Sequence, residues 1–351
     1  MEKYRKFGDA ATGINPFISM KTPTAFSTLF AAVLFPVRCV IAVVIMSLLF
    51  LVDTFNYLFY LLPGLSSLSH LLFGGLQRGL LRGLLFSLGN VSIARVPTSG
   101  SLSPSAGDVV VANLQSVWDM CVIEVAEQIP LFVAAFYGGK AGSSPEKSKK
   151  DEDGTLFVMK PSPLQRWRVW WHIYNTGTST FLSTVADDSS NAHSGEALPI
   201  DITLLQRRCH RLGVPLVLFA EGSCTNGKGM LNISPIRVGV TPARLLVSAL
   251  SYDTAALHTV VRPHSVLSYL FSMSASLYGS RDPAWYSPQF PTATARLASV
   301  GTDPPAEAVE GVVVVEGTKV RQVLCGISRP RCALNVGLRE KRRFVEVFMA
   351  Q

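Results

Sequence analysis

Glu221 is the residue whose placement most needs a chemical reason. It follows the apolar run Val214-Pro-Leu-Val-Leu-Phe-Ala220, which reads as a short buried strand, and a carboxylate at the tip of such a strand is costly unless something there uses it. Gly222 lets a backbone approach a ligand closely. Ser223, Thr225 and Asn226 then supply side-chain donors and Lys228 a cation, a set suited to holding a phosphate. The bland reading of the same stretch is a polar turn, since Asn226-Gly227 and Lys228-Gly229 are common turn pairs. A second candidate lies upstream, where Asn113-Leu-Gln-Ser-Val-Trp-Asp119 follows the apolar run Asp108–Ala112. Asp119 reads either as a catalytic carboxylate or as a helix first-turn carboxylate stabilised by the dipole.

Both stretches resemble blocks of one family. Phe219-Ala-Glu-Gly-Ser223, followed by Cys-Thr-Asn-Gly-Lys228, is similar to the F-P-E-G-T block of the glycerolipid acyltransferases, in the E-G-T/S-C-T-N variant of the lysophospholipid acyltransferases. Ser223 stands for the usual Thr and Ala220 for the usual Pro. The resemblance implies that Glu221 and Gly222 contact the glycerophosphate of an acceptor, with Ser223, Thr225, Asn226 and Lys228 beside them. Asn113 to Asp119 resembles the family's N-H-x4-D block, in which the His is general base for the acceptor hydroxyl and the Asp orients its imidazole. Asn113, Ser116 and Asp119 fit that block, whereas Leu114 stands where the His belongs.

That departure bears directly on the chemistry. Moving an acyl group from a thioester to an alcohol requires the hydroxyl to lose a proton as it attacks, and a leucine side chain has nothing to receive it. Losing a general base costs about 10²- to 10⁴-fold, which leaves a slow enzyme if positioning and electrostatic stabilisation survive. Two rescues are open: one of His172, His193, His210, His258 or His264 reaches the site in space, or Asp119 takes the proton itself.

The elements that must position these residues follow from composition and pattern. The chain has 351 residues, 48% of them hydrophobic and only 16% charged, with a formal net charge of +8. That balance suits a membrane partner with an anionic headgroup layer, and with no zinc-finger, helix-turn-helix or RNA-binding signature it gives no support for nucleic acid. The six cysteines are scattered without a C-x-x-C pair, so neither a metal site nor a disulfide framework is expected. After a polar start at residues 1–21, the only ionised side chains from Thr22 to Gln77 are Arg38 and Asp53. A crossing helix needs about 20 apolar residues. The stretch therefore reads either as a hairpin bent at Pro36 or at Pro63-Gly64, or as one tilted span centred on Cys39 to Val52; the hairpin is the favoured reading. It is too long for a signal peptide, and no small-x-small cleavage site follows it.

Beyond it the pattern predicts strands at 91–96, 108–112, 131–137, 155–160, 214–220, 245–252 and 257–261. Helical spacing marks residues 113–129 and a helix is expected over 201–212. Gln165 to Tyr174 interleaves Trp167, Trp170 and Trp171 with Arg166 and Arg168, which suits either a membrane interface or a core helix. Ser265 to Ser280 is uncharged and apolar, and reads as a second membrane contact or a buried helix. The tail pairs a β-rich run, 311–325, with the cations Arg339, Lys341, Arg342 and Arg343, which would rest on anionic lipid or be solvated.

The expected architecture is an α/β domain, a mixed sheet flanked by helices, with an N-terminal hydrophobic membrane hairpin. Three segments are expected: residues 1–77 with the membrane segment, an acyltransferase-like domain over 78–300, and a basic β-rich tail over 301–351. The resemblance implies acyl transfer from acyl-CoA to a lysophospholipid such as lysophosphatidic acid, with no metal and no bound cofactor, at the endoplasmic reticulum membrane or a lipid droplet, the site facing the cytosol. The alternative is a catalytically inactive, lipid-binding or scaffolding relative, favoured by Leu114.

Overall fold

The structure is a computed structural model. It describes residues 2–18, 25–61, 66–88, 92–97, 103–128, 133–136, 157–158, 163–178, 200–211, 213–239, 244–252, 259–261, 265–276, 292–300, 312–328 and 332–349. A 3-10 turn over Glu2–Phe7 precedes α1 (Ala25–Leu61) and α2 (Ser66–Ser87). Then come β1 (Ser92–Pro97), β2 (Val109–Ala112), α3 (Asp119–Ala126), β3 (Val133–Phe136), β4 (Phe157–Val158) and α4 (Pro163–Thr176). The middle of the chain adds β5 (Ile200–Asp201), α5 (Thr203–Arg211), β6 (Leu216–Phe219), β7 (Gly229–Met230), β8 (Ile236–Gly239) and β9 (Leu245–Tyr252). The last elements are α6 (Val266–Ser276), β10 (Thr292–Ser299), β11 (Val312–Val315), α7 (Gly317–Ile327), β12 (Cys332–Ala333) and α8 (Leu338–Met349).

A seven-stranded mixed sheet in the order β1-β10-β9-β2-β6-β3-β4 carries the site. β2 is parallel to both of its neighbours, pairing Ala112 with Phe219 on one side and with Ser248 on the other. These strands are buried on both faces, which is why they read as continuous apolar runs without alternation. Val110, Ala112, Val217 and Phe219 face a core shared with α1, α2, α3 and α4, while Val109, Val111, Leu216 and Leu218 face a second core beneath α5 and α7. The chain leaves β2 toward β3 on one side and returns to β9 on the other. The carboxyl end of β2 is thus where connections diverge, the position at which open α/β sheets bind ligands.

Several expectations are corrected. α1 runs unbroken through Pro36, so the chain does not bend there; Pro63-Gly64, the other expected bend, lies outside the described residues. α1 and α2 pack antiparallel: Ile45 meets Gly83, the Asp53 carboxylate accepts from Gln77, and Phe59 meets Phe73. The boundary drawn near Gln77 falls in the middle of α2. The helix expected from Asn113 starts only at Asp119, because the loop before it is held by side chains from elsewhere. Residues 259–261 are loop rather than strand. In 311–325 only Val312–Val315 is strand, and α7 follows; Gly317, Val320 and Leu324, which it buries, repeat at helical spacing. The polar start is not a free tail either: Phe7 and Phe17 pack with Phe344 of α8 in a third core.

Candidate functional site

The loop that follows β2 is gripped by the two carboxylates that the sequence singles out. Glu221 Oε2 accepts from the Leu114 amide at 3.1 Å, and its Oε1 accepts from the Leu231 amide at 3.0 Å. Asp119 Oδ2 accepts from the amides of Gln115 and Ser116 at 2.6 and 3.1 Å, and its Oδ1 from the Tyr252 hydroxyl at 2.5 Å. Two residues far apart in sequence are thereby brought to consecutive peptide units at the carboxyl ends of β2 and β6. Both side chains are buried, and charge-assisted bonds to amides are what makes burial of a carboxylate tolerable.

The remaining contacts complete a buried polar network. Asn113 uses its side-chain amide as a rung of the sheet, donating to the Leu250 carbonyl at 3.2 Å and accepting from the Leu250 amide at 2.7 Å. Gln115 Nε2 donates to the same carbonyl at 2.7 Å. The Thr225 amide donates to the Leu114 carbonyl at 3.1 Å, and the Thr259 amide to the Gln115 carbonyl at 3.0 Å. Thr259 Oγ1 accepts from the Val117 amide at 3.2 Å and lies 3.0 Å from the Tyr269 hydroxyl. Ser116 Oγ accepts from the Trp118 amide at 3.3 Å. Burial raises the Tyr252 hydroxyl well above its ordinary pKa, and the Asp119 charge adds to the rise. Tyr252 therefore stays a proton donor toward Asp119.

The Glu-Gly turn is closed as tightly. Gly222 adopts φ +66°, a conformation that glycine adopts without strain. Ser223 forms an isolated antiparallel bridge with Thr178. Asn226 Nδ2 donates to the carbonyls of Asn15 and Ile18 at 2.9 and 3.0 Å, and its amide to the Pro16 carbonyl at 2.9 Å. The Asn226 donors, expected to meet a phosphate, are thus occupied by the N-terminal segment, and the Ser223 hydroxyl faces the Gly177 and Cys224 carbonyls at 3.5 and 3.3 Å. Lys228 is exposed.

The Leu114 side chain is fully buried within the helical core, so hydrocarbon fills the position at which the resemblance would put a base. His210 sits at the wrong end of β2, its Nδ1 3.2 Å from the Ala106 carbonyl, and four strand residues at about 3.3 Å each separate the two ends. His172 is half-buried on α4. His193, His258 and His264 lie outside the described residues.

Sequence reasoning missed Tyr252, Thr259, Tyr269 and Lys341. Tyr252 was legible in principle, because it ends the strand that follows the Glu-Gly block, and that strand, β9, pairs directly with β2. Lys341, expected among solvated or lipid-facing cations, is buried: its Nζ donates to the Val260 carbonyl, lies 3.4 Å from the Cys224 carbonyl, and sits 5.0 Å over the Phe17 ring. Lys341 stands three residues before Phe344, so helical spacing puts both on the face that α8 buries, a signal that grouping it with Arg339, Arg342 and Arg343 by charge alone passes over. Burial pushes the Lys341 ammonium down to about 7.

A pH dependence follows from that shift. The folded form releases its proton near pH 7 and the unfolded chain near 10.5. Between those values the unfolded chain holds more protons, so this group's contribution rises with pH and is lost as pH falls through 7. Melting temperature should climb from pH 7 toward 10, and Lys341→Met should flatten that climb. An equally steep climb in the variant assigns it to another group.

Among the described residues no group of three or more His, Cys, Asp or Glu side chains could hold a metal. Cys39, Cys121, Cys209, Cys224 and Cys325 are in no disulfide. No family model, curated protein or solved structure matches the chain.

Proposed function

We propose that this chain is a membrane-held protein of the glycerolipid acyltransferase type, with a lysophospholipid such as lysophosphatidic acid as its ligand, in which transfer from acyl-CoA has lost its general base. The observation that carries the reading is the bracketing of the Leu114-Gln115 segment by Glu221 and Asp119 at the carboxyl ends of β2 and β6. The arrangement keeps the two acidic residues of the resemblance together and places hydrocarbon where the proton acceptor belongs. On this reading acyl-CoA is a co-substrate used slowly or not at all, and the protein acts chiefly by binding lipid at the endoplasmic reticulum membrane or a lipid droplet.

Purified full-length protein in mixed micelles, incubated with labelled acyl-CoA and a panel of lysolipids, tests this. Transfer is expected about 10²- to 10⁴-fold below that of an enzyme with an intact base. Lysophosphatidic acid is expected to bind, and Glu221→Ala to weaken the binding by releasing the Leu114 and Leu231 amides. Rapid turnover by wild type overturns the loss of the base, and failure of any lysolipid to bind overturns the ligand.

A further inference from the structure

We infer that α1 does not cross a bilayer, although it is long and apolar enough to do so over Ala32–Phe59 with a mean hydropathy of 2.6, but lies with α2 and α6 in a single leaflet. The inference rests on the functional reading only for the presence of a membrane.

Both flanks of α1 are fastened to one body. Before it, the Ile18 carbonyl accepts from Asn226, and Phe17 is wholly buried. After it, α2 returns antiparallel and delivers Leu81, Leu84 and Leu85 to the core shared with the sheet. A single crossing would place those flanks on opposite sides of the membrane.

The middle of α1 is docked as well. Ala42, Leu49, Val52, Asp53 and Asn56 face the protein and are buried, and Asp53 reaches Arg166 of α4. These positions cover about 21 Å of helix at 1.5 Å per residue. A helix crossing at that level would carry α3, α4 and the sheet behind them into hydrocarbon, where exposed sheet edges and loops find no hydrogen-bond partners. A double crossing through α2 fails for a related reason, because Arg78 falls near the middle of that helix with Arg82 one turn further on, and Arg78 is fixed by Nη1 to the Gln128 carbonyl at 3.3 Å.

What remains is an apolar surface on the other half of α1. Val40, Ile41, Val43, Val44, Leu48 and Leu51 are all exposed. Patches of that extent are not left in water by monomeric proteins. Trp167 and α1 enclose an outward-opening cleft of about 700 Å³ lined by Val43, Met46, Ser47, Phe50 and Leu51, and Ser47 turns its hydroxyl to the Val43 carbonyl. α6 extends the surface: Phe271 meets Phe35 edge to face, and Val266 and Leu267 are exposed. The charged side chains of α1 and α2 are Arg38, Arg78 and Arg82 beside the buried Asp53, a cationic set complementary to anionic headgroups.

Two measurements on the full chain test this. With an Asn-x-Thr glycosylation acceptor inserted at Pro63-Gly64 and epitopes at both ends, sealed microsomes should leave the acceptor unmodified and expose both epitopes on the cytosolic face. A glycan at the hairpin tip, or epitopes on opposite faces, overturns the inference. Leu267→Asp, on an exposed side chain that folding does not need, should lower binding to phosphatidylcholine and phosphatidylserine vesicles about tenfold. Unchanged binding removes α6 from the surface. Both results read topology and membrane contact, so they can fail while the lipid chemistry stands, and the converse.

Discussion

Arg166→Met is expected to cost about 3–5 kcal/mol, a large share of the roughly 5–15 kcal/mol by which a folded domain is stable. The guanidinium sits between two carboxylates, with Nε 3.0 Å from Asp53 Oδ2 and Nη1 2.9 Å from Glu124 Oε2, and all three side chains are buried. Gln77 of α2 donates to Asp53 Oδ1 at 3.0 Å, so the cluster joins α1, α2, α3 and α4. Removing only the cation strands two carboxylates without their counter-charge, which is worse than never having buried charge there. Hence Asp53→Asn and Glu124→Gln added to Arg166→Met should recover most of the loss.

Denaturant unfolding in detergent micelles gives the comparison, and pH supplies a second axis. Burial raises the Glu124 carboxyl to about 7 from 4.5 even though Arg166 pulls it down. A folded pKa above the unfolded one means that the contribution is present below 4.5 and is lost as pH rises through 7. Without Arg166 the carboxyl rises further, so the single variant should lose more stability than wild type between pH 5 and pH 8. A single variant as stable as wild type at pH 8 shows that the cluster does not hold the helices together.

The strands that carry the site were legible because parallel strands buried on both faces leave a plain trace: Val109-Val-Val-Ala112 and Leu216-Val-Leu-Phe219 are unbroken apolar runs, each followed within a few residues by a polar group that marks its carboxyl end. The direction in which those polar groups point was not legible. Amides have no residue type, so nothing in the sequence says that Glu221 would take the Leu114 and Leu231 amides or that Asp119 would take those of Gln115 and Ser116. The partners from the far side of the sheet, Tyr252 and Thr259, lie more than a hundred positions away. The same blindness to tertiary partners hides what the polar start does, for Asn226, Phe344 and the Asn335 amide on Asp9 hold it.

On the proposed reading, Leu114→His should raise acyl transfer to lysophosphatidic acid by about 10²- to 10⁴-fold over wild type, the usual contribution of a general base. The backbone at this position is already fixed, its amide on Glu221 and its carbonyl on Thr225, so the substitution changes the side chain without freeing the loop. An imidazole there also needs orienting, and the group that should do so is engaged: Asp119 Oδ1 already accepts from the Tyr252 hydroxyl. The single variant must compete with that bond, and Leu114→His/Tyr252→Phe should therefore transfer faster than Leu114→His alone. Placing a polar ring in a core position costs about 1–3 kcal/mol, so circular dichroism and a melting curve accompany each rate. Transfer should rise as the pH passes the imidazole pKa, because only the neutral ring accepts a proton. If the double variant folds, binds lysophosphatidic acid and still transfers nothing, then Leu114 is not the missing base, and the two carboxylates serve only to pin the loop on which they converge.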